Sequence, residues 1–257
     1  MTMTLCRGLM ARNDVWWLDE AIALRQPDFA NAQTIYEGSY TRIRRHPGQP
    51  ALISKLSWVK SAPRDNVRKY WAAQAKREMA ANRIMQRLGI RTATLIGYGI
   101  RLMPWSRLES LLFMDELPAH DTLRVVLRRL TDEHGRALLI DRIAQDIARL
   151  YRNGWHHKDC HLENVVLPRT DAARPNASYP DLIWVDNDLR YSARAEVLRR
   201  RFDGSLRQLA YTSRDFISPA EWQVFAQRLS SHLSSTQLGR KLCATSVAAF
   251  ARERAAA

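Results

Sequence analysis

The stretch Trp155–Asn164, WHHKDCHLEN, together with the later Ile183–Asp188, IWVDND, constrains this chain more than any other part of it. His157 stands two residues before Asp159, and Asn164 five after it, the spacing HxDxxxxN. Phosphoryl transfer needs an Asp beside the attacking hydroxyl, and an Asn with a second Asp to hold the magnesium ions that carry phosphate charge. Asp159, Asn164 and Asp186 have the right chemistry for those places. One short match of common loop residues is equally an ordinary polar turn, so order and context have to decide.

The immediate context favours a built site. Residues Ala137 to Arg152 place Ile140, Ile143, Ala144, Ile147, Leu150 and Tyr151 on one helical face, and Gly154 closes that helix just before the motif. After Asn164, VVLP reads as a short strand, RTDAARPNASYP as a Pro-rich loop, and DLIWVDND as a second strand ending at Asp186. Such a hairpin sets Asn164 and Asp186 at neighbouring strand ends, within reach of one metal, with Asp188 completing a DxD arrangement.

Upstream, residues to about Ala32 read as irregular, with Trp16, Trp17 and Phe29 as anchors. From Thr34, TIYEGSYTRIRR and ALISKLSWV form two β runs reversed by His46-Pro47-Gly48-Gln49-Pro50. Lys55 lies mid-strand on the face of Ile53 and Val59, which marks either an exposed sheet edge or a cation held for a purpose. A helix over Val67 to Leu88 aligns Val67, Trp71, Ala75, Glu78, Asn82 and Met85, so Glu78 falls on the packed face. A carboxylate there needs a partner. Lys55 would provide one and be aimed at the α- and β-phosphates of ATP; the alternative is a rim position paired with Arg77 or Arg83. Gly89 ends this helix, and ATLIGYGIRLM suggests two short strands around Gly97 and Gly99. SLLFMDELPAHDT is then an apolar strand broken by Pro118, and Thr122 to Leu130 a short helix. Further on, Ser218-Pro219-Ala220-Glu221 is a capping box that opens the helix WQVFAQRLSSHL.

Bulk properties narrow the class. With 257 residues and 46% hydrophobic content the chain can bury one large core or two lobes. No apolar run approaches the roughly 20 residues of a membrane span. The N-terminus lacks the order of a secretory signal, so a cytoplasmic protein is expected. Cys6, Cys160 and Cys243 are an odd set without CxxC spacing, which argues against disulfides and zinc, and Cys160 reads as packing. A net charge of +14 implies an acidic partner: nucleic acid, an anionic membrane surface or a phosphorylated substrate. Arg190, Arg194, Arg199, Arg200, Arg201, Arg207 and Arg214 concentrate that charge late in the chain, where a solvated helix face is the alternative reading.

With Lys55, Glu78, His157, Asp159, Asn164 and Asp186 in this order, the chain resembles the protein-kinase-like superfamily, and most of all the bacterial lipopolysaccharide core kinases acting on Kdo and heptose. The likeness runs from about Thr34 to Leu233, and includes SKL…KREMAANRIMQRLGIRT and the SPAEW-like segment. It implies an α+β, two-lobed protein-kinase-like fold: a small β-rich, nucleotide-binding N-lobe over residues 1–117, and a larger helical C-lobe over 118–257 holding the catalytic loop, metal site and acceptor. It also implies ATP and Mg2+ as cofactors and phosphorylation of a sugar hydroxyl of the lipopolysaccharide inner core, by a protein peripheral to the cytoplasmic face of the anionic inner membrane.

Residue by residue, the resemblance makes Asp159 the catalytic base, with His157 bracing its loop. Asn164 and Asp186, assisted by Asp188, become the magnesium ligands, and Lys55, held by Glu78, the phosphate-binding Lys. Gly38 would let the first hairpin approach the phosphates, and the backbone from Met114 to Leu117, Glu116 included, would be the adenine-binding hinge. His161 stands where protein kinases carry Lys and small-molecule kinases carry His, and Asn187-Asp188 replaces the Phe-Gly of DFG; both departures speak against a protein substrate. Two other readings stay open: a phosphotransferase for an aminoglycoside- or choline-like molecule, and a non-catalytic kinase-like scaffold. The basic residues match no nucleic-acid module, so nucleic acid is not expected as a partner.

Overall fold

A computed structural model describes residues 2–48, 51–60, 69–103, 107–169 and 181–255. The fold is α+β, β-rich in its N-terminal region and helical in its C-terminal part. The chain divides into two units, one made of residues 1–83 and 93–117, the other of 84–92 and 118–257.

The first unit is built on a seven-stranded, wholly antiparallel sheet. Its strands are β1 (Met3–Arg7), β2 (Val15–Asp19), β3 (Gln33–Glu37), β4 (Thr41–His46), β5 (Leu52–Lys60), β6 (Leu95–Met103) and β7 (Arg107–Asp115), in the spatial order β1-β2-β6-β7-β5-β4-β3. Period-two alternation divides β5 between two faces. Leu52 and Leu56 join Trp16, Leu18, Ile22, Leu111 and Phe113 in one core, whereas Lys55, opposite Leu112, lies on the other face. There Ala75 and Met79 of a helix, α3 (Gln74–Arg87), pack against Leu112.

Several expectations change here. The N-terminal segment is not irregular: β1, β2 and α1 (Glu20–Arg25) belong to the unit, and Trp16 and Ile22 are fully buried. TIYEGSYTRIRR is two strands, since the chain also reverses after β3, where Gly38 N–H donates to the Thr41 carbonyl at 2.8 Å. The reversal between β4 and β5 is as expected, although Gln49 and Pro50 lie outside the described residues. Gly97 and Gly99 lie inside the single strand β6. A Cβ on Gly97 would come within 2.7 Å of Asp19 Oδ2, and one on Gly99 equally close to Leu18 Cδ1, so close approach of β2 requires both glycines. The long helix is interrupted at Ala73: α2 (Lys69–Ala72) ends before it, and α3 begins after it at Gln74. Ala75, Glu78, Asn82 and Met85 are buried, but Trp71, on the far side of that break, is 58% exposed. Val67 lies outside the described residues.

In the second unit, α4 (Leu123–Arg129) is N-capped by Thr122, and α5 (Glu133–Arg152) by Asp132, whose carboxylate accepts from the His134 and Gly135 N–H groups. The unit continues with β9 (Trp155–His157), a 3₁₀ turn (Leu162–Asn164), β10 (Val165–Pro168), β11 (Ile183–Trp184), β12 (Leu189–Tyr191), α6 (Ala195–Ser213) and α7 (Pro219–Leu233). β8 (His120–Thr122), β10 and β11 form one small antiparallel sheet, and β9 with β12 another. Buried Leu139, Ile140, Ile143 and Ile147 of α5 form the core with Phe202, Leu206 and Leu209 of α6 and Trp222, Phe225 and Leu229 of α7. Each such side chain contributes roughly 2 kcal/mol of burial. The segment RTDAARPNASYP lies outside the described residues from residue 170. The chain closes with α8 (Gln237–Leu242), a π-turn (Cys243–Val247) and α9 (Ala248–Ala255), beyond which the final two residues are not described.

Candidate active site

The buried helix α5 delivers the motif. At its end Gly154, with φ +81°, adopts a left-handed conformation that suits glycine, and a Cβ there would meet Tyr191 Cε2 at 2.8 Å. The chain then enters β9 as far as His157, which is 1% exposed. Asp159 N–H donates to His157 Nδ1 at 3.3 Å, so Nε2 carries the proton and faces Asn187 Oδ1, also at 3.3 Å. Asn187 Nδ2 in turn donates to the Trp184 carbonyl. Burial holds the His157 imidazole below its ordinary pKa despite that bond and the nearby acids, which keeps it neutral. A neutral histidine thus joins the Asp159 loop to the segment carrying Asp186.

Around Asp159 the contacts converge. Asn164 Nδ2 donates to its carbonyl at 3.0 Å, and His161 Nε2 stands 3.3 Å from its Oδ2. Gln208 Nε2, from α6, donates to its Oδ1 at 2.7 Å. The Asp159 side chain remains 51% exposed, open to a reactant. β10 pairs with β11 through Val165 and Trp184, and Val185 N–H donates to the Asn164 carbonyl at 2.9 Å, which holds Asn164 next to the strand leading to Asp186. Asp186 is exposed and takes the left-handed region, φ 54°, a conformation Asp tolerates better than most residues. Asp188 is buried; its Oδ1 meets no hydrogen-bond donor among the described residues, and Arg190 Nη2 stands 3.4 Å away.

No group of three or more His, Cys, Asp or Glu side chains among the described residues is arranged to hold a metal. Two carboxylates completed by the Asn164 amide are a different set. Their hard oxygen donors, with one buried carboxylate oxygen lacking a hydrogen-bond donor, suit magnesium.

The first unit carries its own charged pair. Lys55 and Glu78 are 7% and 2% exposed, and Lys55 Nζ donates to both Glu78 oxygens at 3.0 and 3.1 Å. Gln74 Nε2 adds a bond to Glu78 Oε1 at 2.9 Å. This is the paired arrangement, not the rim position. Gly38 sits in the β3–β4 reversal with the Tyr36 ring over it. Met114, next to last in β7, is paired on both sides, opposite Ile53 and Leu95. Past it, the Asp115 and Glu116 N–H groups are engaged by the Thr94 and Ala51 carbonyls, and the Glu116 carboxylate by Arg45 at 2.8 Å.

The model of the lipopolysaccharide kinase (Kdo/WaaP) family matches residues 59–227, well over half of the sequence. The chain belongs to that family. Membership gives this lipopolysaccharide kinase its reaction class, phosphotransfer. Among solved structures, WaaP in complex with acyl carrier protein matches with a TM-score of 0.64 at 17% identity, covering 100% of this chain and 98% of that one. A Rio2 kinase–ADP/Mg2+–phosphoaspartate complex from Chaetomium thermophilum matches at 0.53 and 16%, covering 91% and 73%. Both likenesses are of fold, and the second extends it to kinases outside the family. No curated protein matches the chain.

Two residues of this lipopolysaccharide kinase that bear on the site escape the sequence reading. Gln208 lies on a basic helix far along the chain, and only the amphipathic phase of α6 hints that it turns inward. Asp146, fully buried in α5, accepts from Trp184 Nε1 at 3.0 Å and stands 3.5 and 3.6 Å from Arg142 and Arg149. Burial raises its pKa, against the two guanidiniums and the indole. A carboxylate on an otherwise apolar helical face was its only trace. Cys160 is buried and its thiol is pushed up to about 12 by burial and by Asp159, which fits a packing residue.

Proposed function

We propose that this kinase transfers the γ-phosphoryl group of ATP to a sugar hydroxyl, of Kdo or heptose, in the lipopolysaccharide inner core. The carrying observation is Asp159: a half-exposed carboxylate held by the Gln208 amide, with the Asn164 amide on its own backbone carbonyl and the Asp186–Asp188 segment following on the paired strand.

In this reading the acceptor hydroxyl gives its proton to Asp159 as its oxygen bonds to the γ-phosphorus. The bond from that phosphorus to the β–γ bridging oxygen breaks, and its electrons leave with ADP. Asn164, Asp186 and Asp188 would hold magnesium, which when bound neutralises phosphate charge. Arg190 then keeps the Asp188 carboxylate oriented. Lys55, aligned by Glu78, would bind the α- and β-phosphates, with Gly38 giving the backbone near approach. Because the Glu116 N–H is already engaged, adenine contacts after Met114 would fall to the Asp115 and Glu116 carbonyls and the Leu117 N–H. His157 braces the loop, and His161, two residues from the base, would meet the transferred group.

The same reading makes residues 1–117 the nucleotide-binding part and 118–257 the catalytic and acceptor-binding part. No helix among the described residues is long and apolar enough to cross a membrane. A net charge of +14 supports peripheral contact with an anionic inner-membrane face, where a core-lipid acceptor would be met. The likeness to WaaP also makes an acyl carrier protein a candidate partner, to be checked by co-purification. The deciding experiment incubates purified protein with Mg-ATP and lipopolysaccharide lacking core phosphate. Labelled phosphate on a core sugar is the expected result, and no transfer to any core acceptor would overturn the proposal.

A further inference from the structure

Gln208 reaches the loop of Asp159 with both ends of its amide. Nε2 donates to Asp159 Oδ1 at 2.7 Å, and Oε1 accepts the Cys160 N–H at 3.2 Å. A backbone N–H can only donate, so the amide oxygen must face Cys160 and the NH2 group must face the carboxylate. The two bonds fix one another's direction. They also come from a firm support. Buried Leu206, Leu209 and Ala210 seat this part of α6, and Ser205, one turn earlier, donates to the His157 carbonyl at 3.3 Å while accepting from Tyr151 at 2.7 Å.

The other contact to the carboxylate is of a different kind. His161 belongs to the same loop as Asp159, and its Nε2 lies farther away, 3.3 Å from Oδ2. It moves with the loop and cannot by itself fix the carboxylate relative to the rest of the unit. A carboxylate on a half-exposed loop otherwise has two free side-chain torsions. With Oδ1 engaged from a packed helix, rotation is restrained, and Oδ2, which has only the longer His161 contact, is the oxygen available to a reactant. The donor is neutral, so the carboxylate is oriented without being drawn into an ion pair that would weaken it as a base.

We propose that Gln208 is a positioning residue that sets the rotamer of Asp159 for phosphoryl transfer, an inference that rests on the kinase reading above. Displacing a base by about an ångström costs on the order of 10²-fold in rate. Gln208→Met keeps length and helix propensity while removing both hydrogen bonds. Gln208→Glu keeps the acceptor for Cys160 N–H but presents Asp159 with a second carboxylate in place of a donor.

Steady-state kinetics with Mg-ATP and lipopolysaccharide lacking core phosphate is the first readout. Expected for Gln208→Met is a fall in kcat of about 10²-fold, with the KM for ATP within twofold and an unchanged denaturation midpoint. Gln208→Glu should also lose turnover, although its loop stays tied. A wild-type kcat in either variant, or a loss confined to KM or to the folded fraction, overturns the inference. The second readout is hydrogen exchange at the Cys160 amide, which needs no turnover: protection should vanish in the Met variant and persist in the Glu variant. Unchanged protection in the Met variant overturns the clamp itself. Wild-type protein inert toward every core acceptor overturns the kinase reading, and Cys160 exchange still decides whether Gln208 holds the loop.

Discussion

The two units hold their ionised groups in opposite ways. In the β-rich unit, Lys55 of β5 and Glu78 of α3 form a buried ion pair, with Gln74 bonded to the same carboxylate. In the helical unit, Asp159 keeps half its side chain in solvent and is oriented by an amide and an imidazole. The first arrangement ties local integrity to a charge pair; the second leaves a carboxylate available for chemistry. Substitutions should therefore separate into stability losses in one unit and rate losses in the other.

The largest expected effect is in rate. Asp159→Asn keeps the shape of the side chain and removes the proposed base, so kcat should fall by about 10²- to 10⁴-fold, the usual contribution of a positioned base. Chemical denaturation should show the same midpoint as wild type. A variant that loses stability along with activity would break the contrast. Glu78→Ala probes the other side. Breaking this buried pair from the carboxylate side should lower stability by about 3–5 kcal/mol, read from the denaturation curve. Replacing both residues by apolar ones should restore most of that stability and none of the activity, which separates the structural use of the pair from its proposed phosphate-binding use.

The contrast also explains what could be read in the sequence. The helical unit is written in local signals. The apolar face of α5, Gly154 at its end and the box at Ser218 each lie within a few residues, and each is found where expected. The β-rich unit depends on distant neighbours. Trp16 among acids reads as loop until one sees that Asp14 Oδ2 accepts from the Met10 and Ala11 N–H groups and from Trp16 Nε1, which turns the acid into a brace for the strand. Gly97 and Gly99 read as turns because the strand that crowds them, β2, lies far away in sequence. Trp71 shares the phase of Ala75, yet the break at Ala73 takes it off that face. Gln208 was hidden for the same reason, since its partner is 49 positions away. Lys55 and Glu78 were legible because a lone charge on an apolar face demands a partner wherever that partner lies in the chain.

A smaller effect distinguishes the units by pH. In the β-rich unit His46 Nδ1–H donates to the Asp28 carbonyl at 2.9 Å, and Nε2 shares a hydrogen bond of 2.7 Å with Ser54 Oγ, which donates when the ring is neutral. Burial depresses its pKa below 6.5, against the Asp28 contact. The unfolded chain therefore binds the proton more readily. Stability from this group is complete above the unfolded pKa of about 6.5 and is lost as pH falls through the lower folded value. His157 is depressed in the helical unit for the same reason, so wild-type protein should weaken in acid through both. His46→Asn, which cannot titrate, should flatten the acid side of the stability–pH curve without altering the Asp159-dependent rate. An unchanged slope would mean that His46 does not respond as its burial demands.

The smallest effect tests whether the helical unit couples stability to rate. Ser218 Oγ accepts the Glu221 N–H at 3.3 Å, and Glu221 returns a bond to the Ser218 N–H at 2.8 Å while receiving Arg136 of α5 at 2.6 and 3.1 Å. Ser218→Ala removes one cap and leaves the Arg136 pair, so it should cost about 1 kcal/mol in a denaturation experiment. α7 packs on α5, and the end of α5 carries the loop of Asp159, so a strain-sensitive site would feel the change. The contacts to Asp159 come instead from His157, Asn164, His161 and Gln208, none of which touches this cap. kcat should therefore stay at the wild-type value while the midpoint falls. A loss of rate from so distant a cap would mean that α5 transmits its stability directly to the base, and that the site is less insulated than its own hydrogen bonds imply.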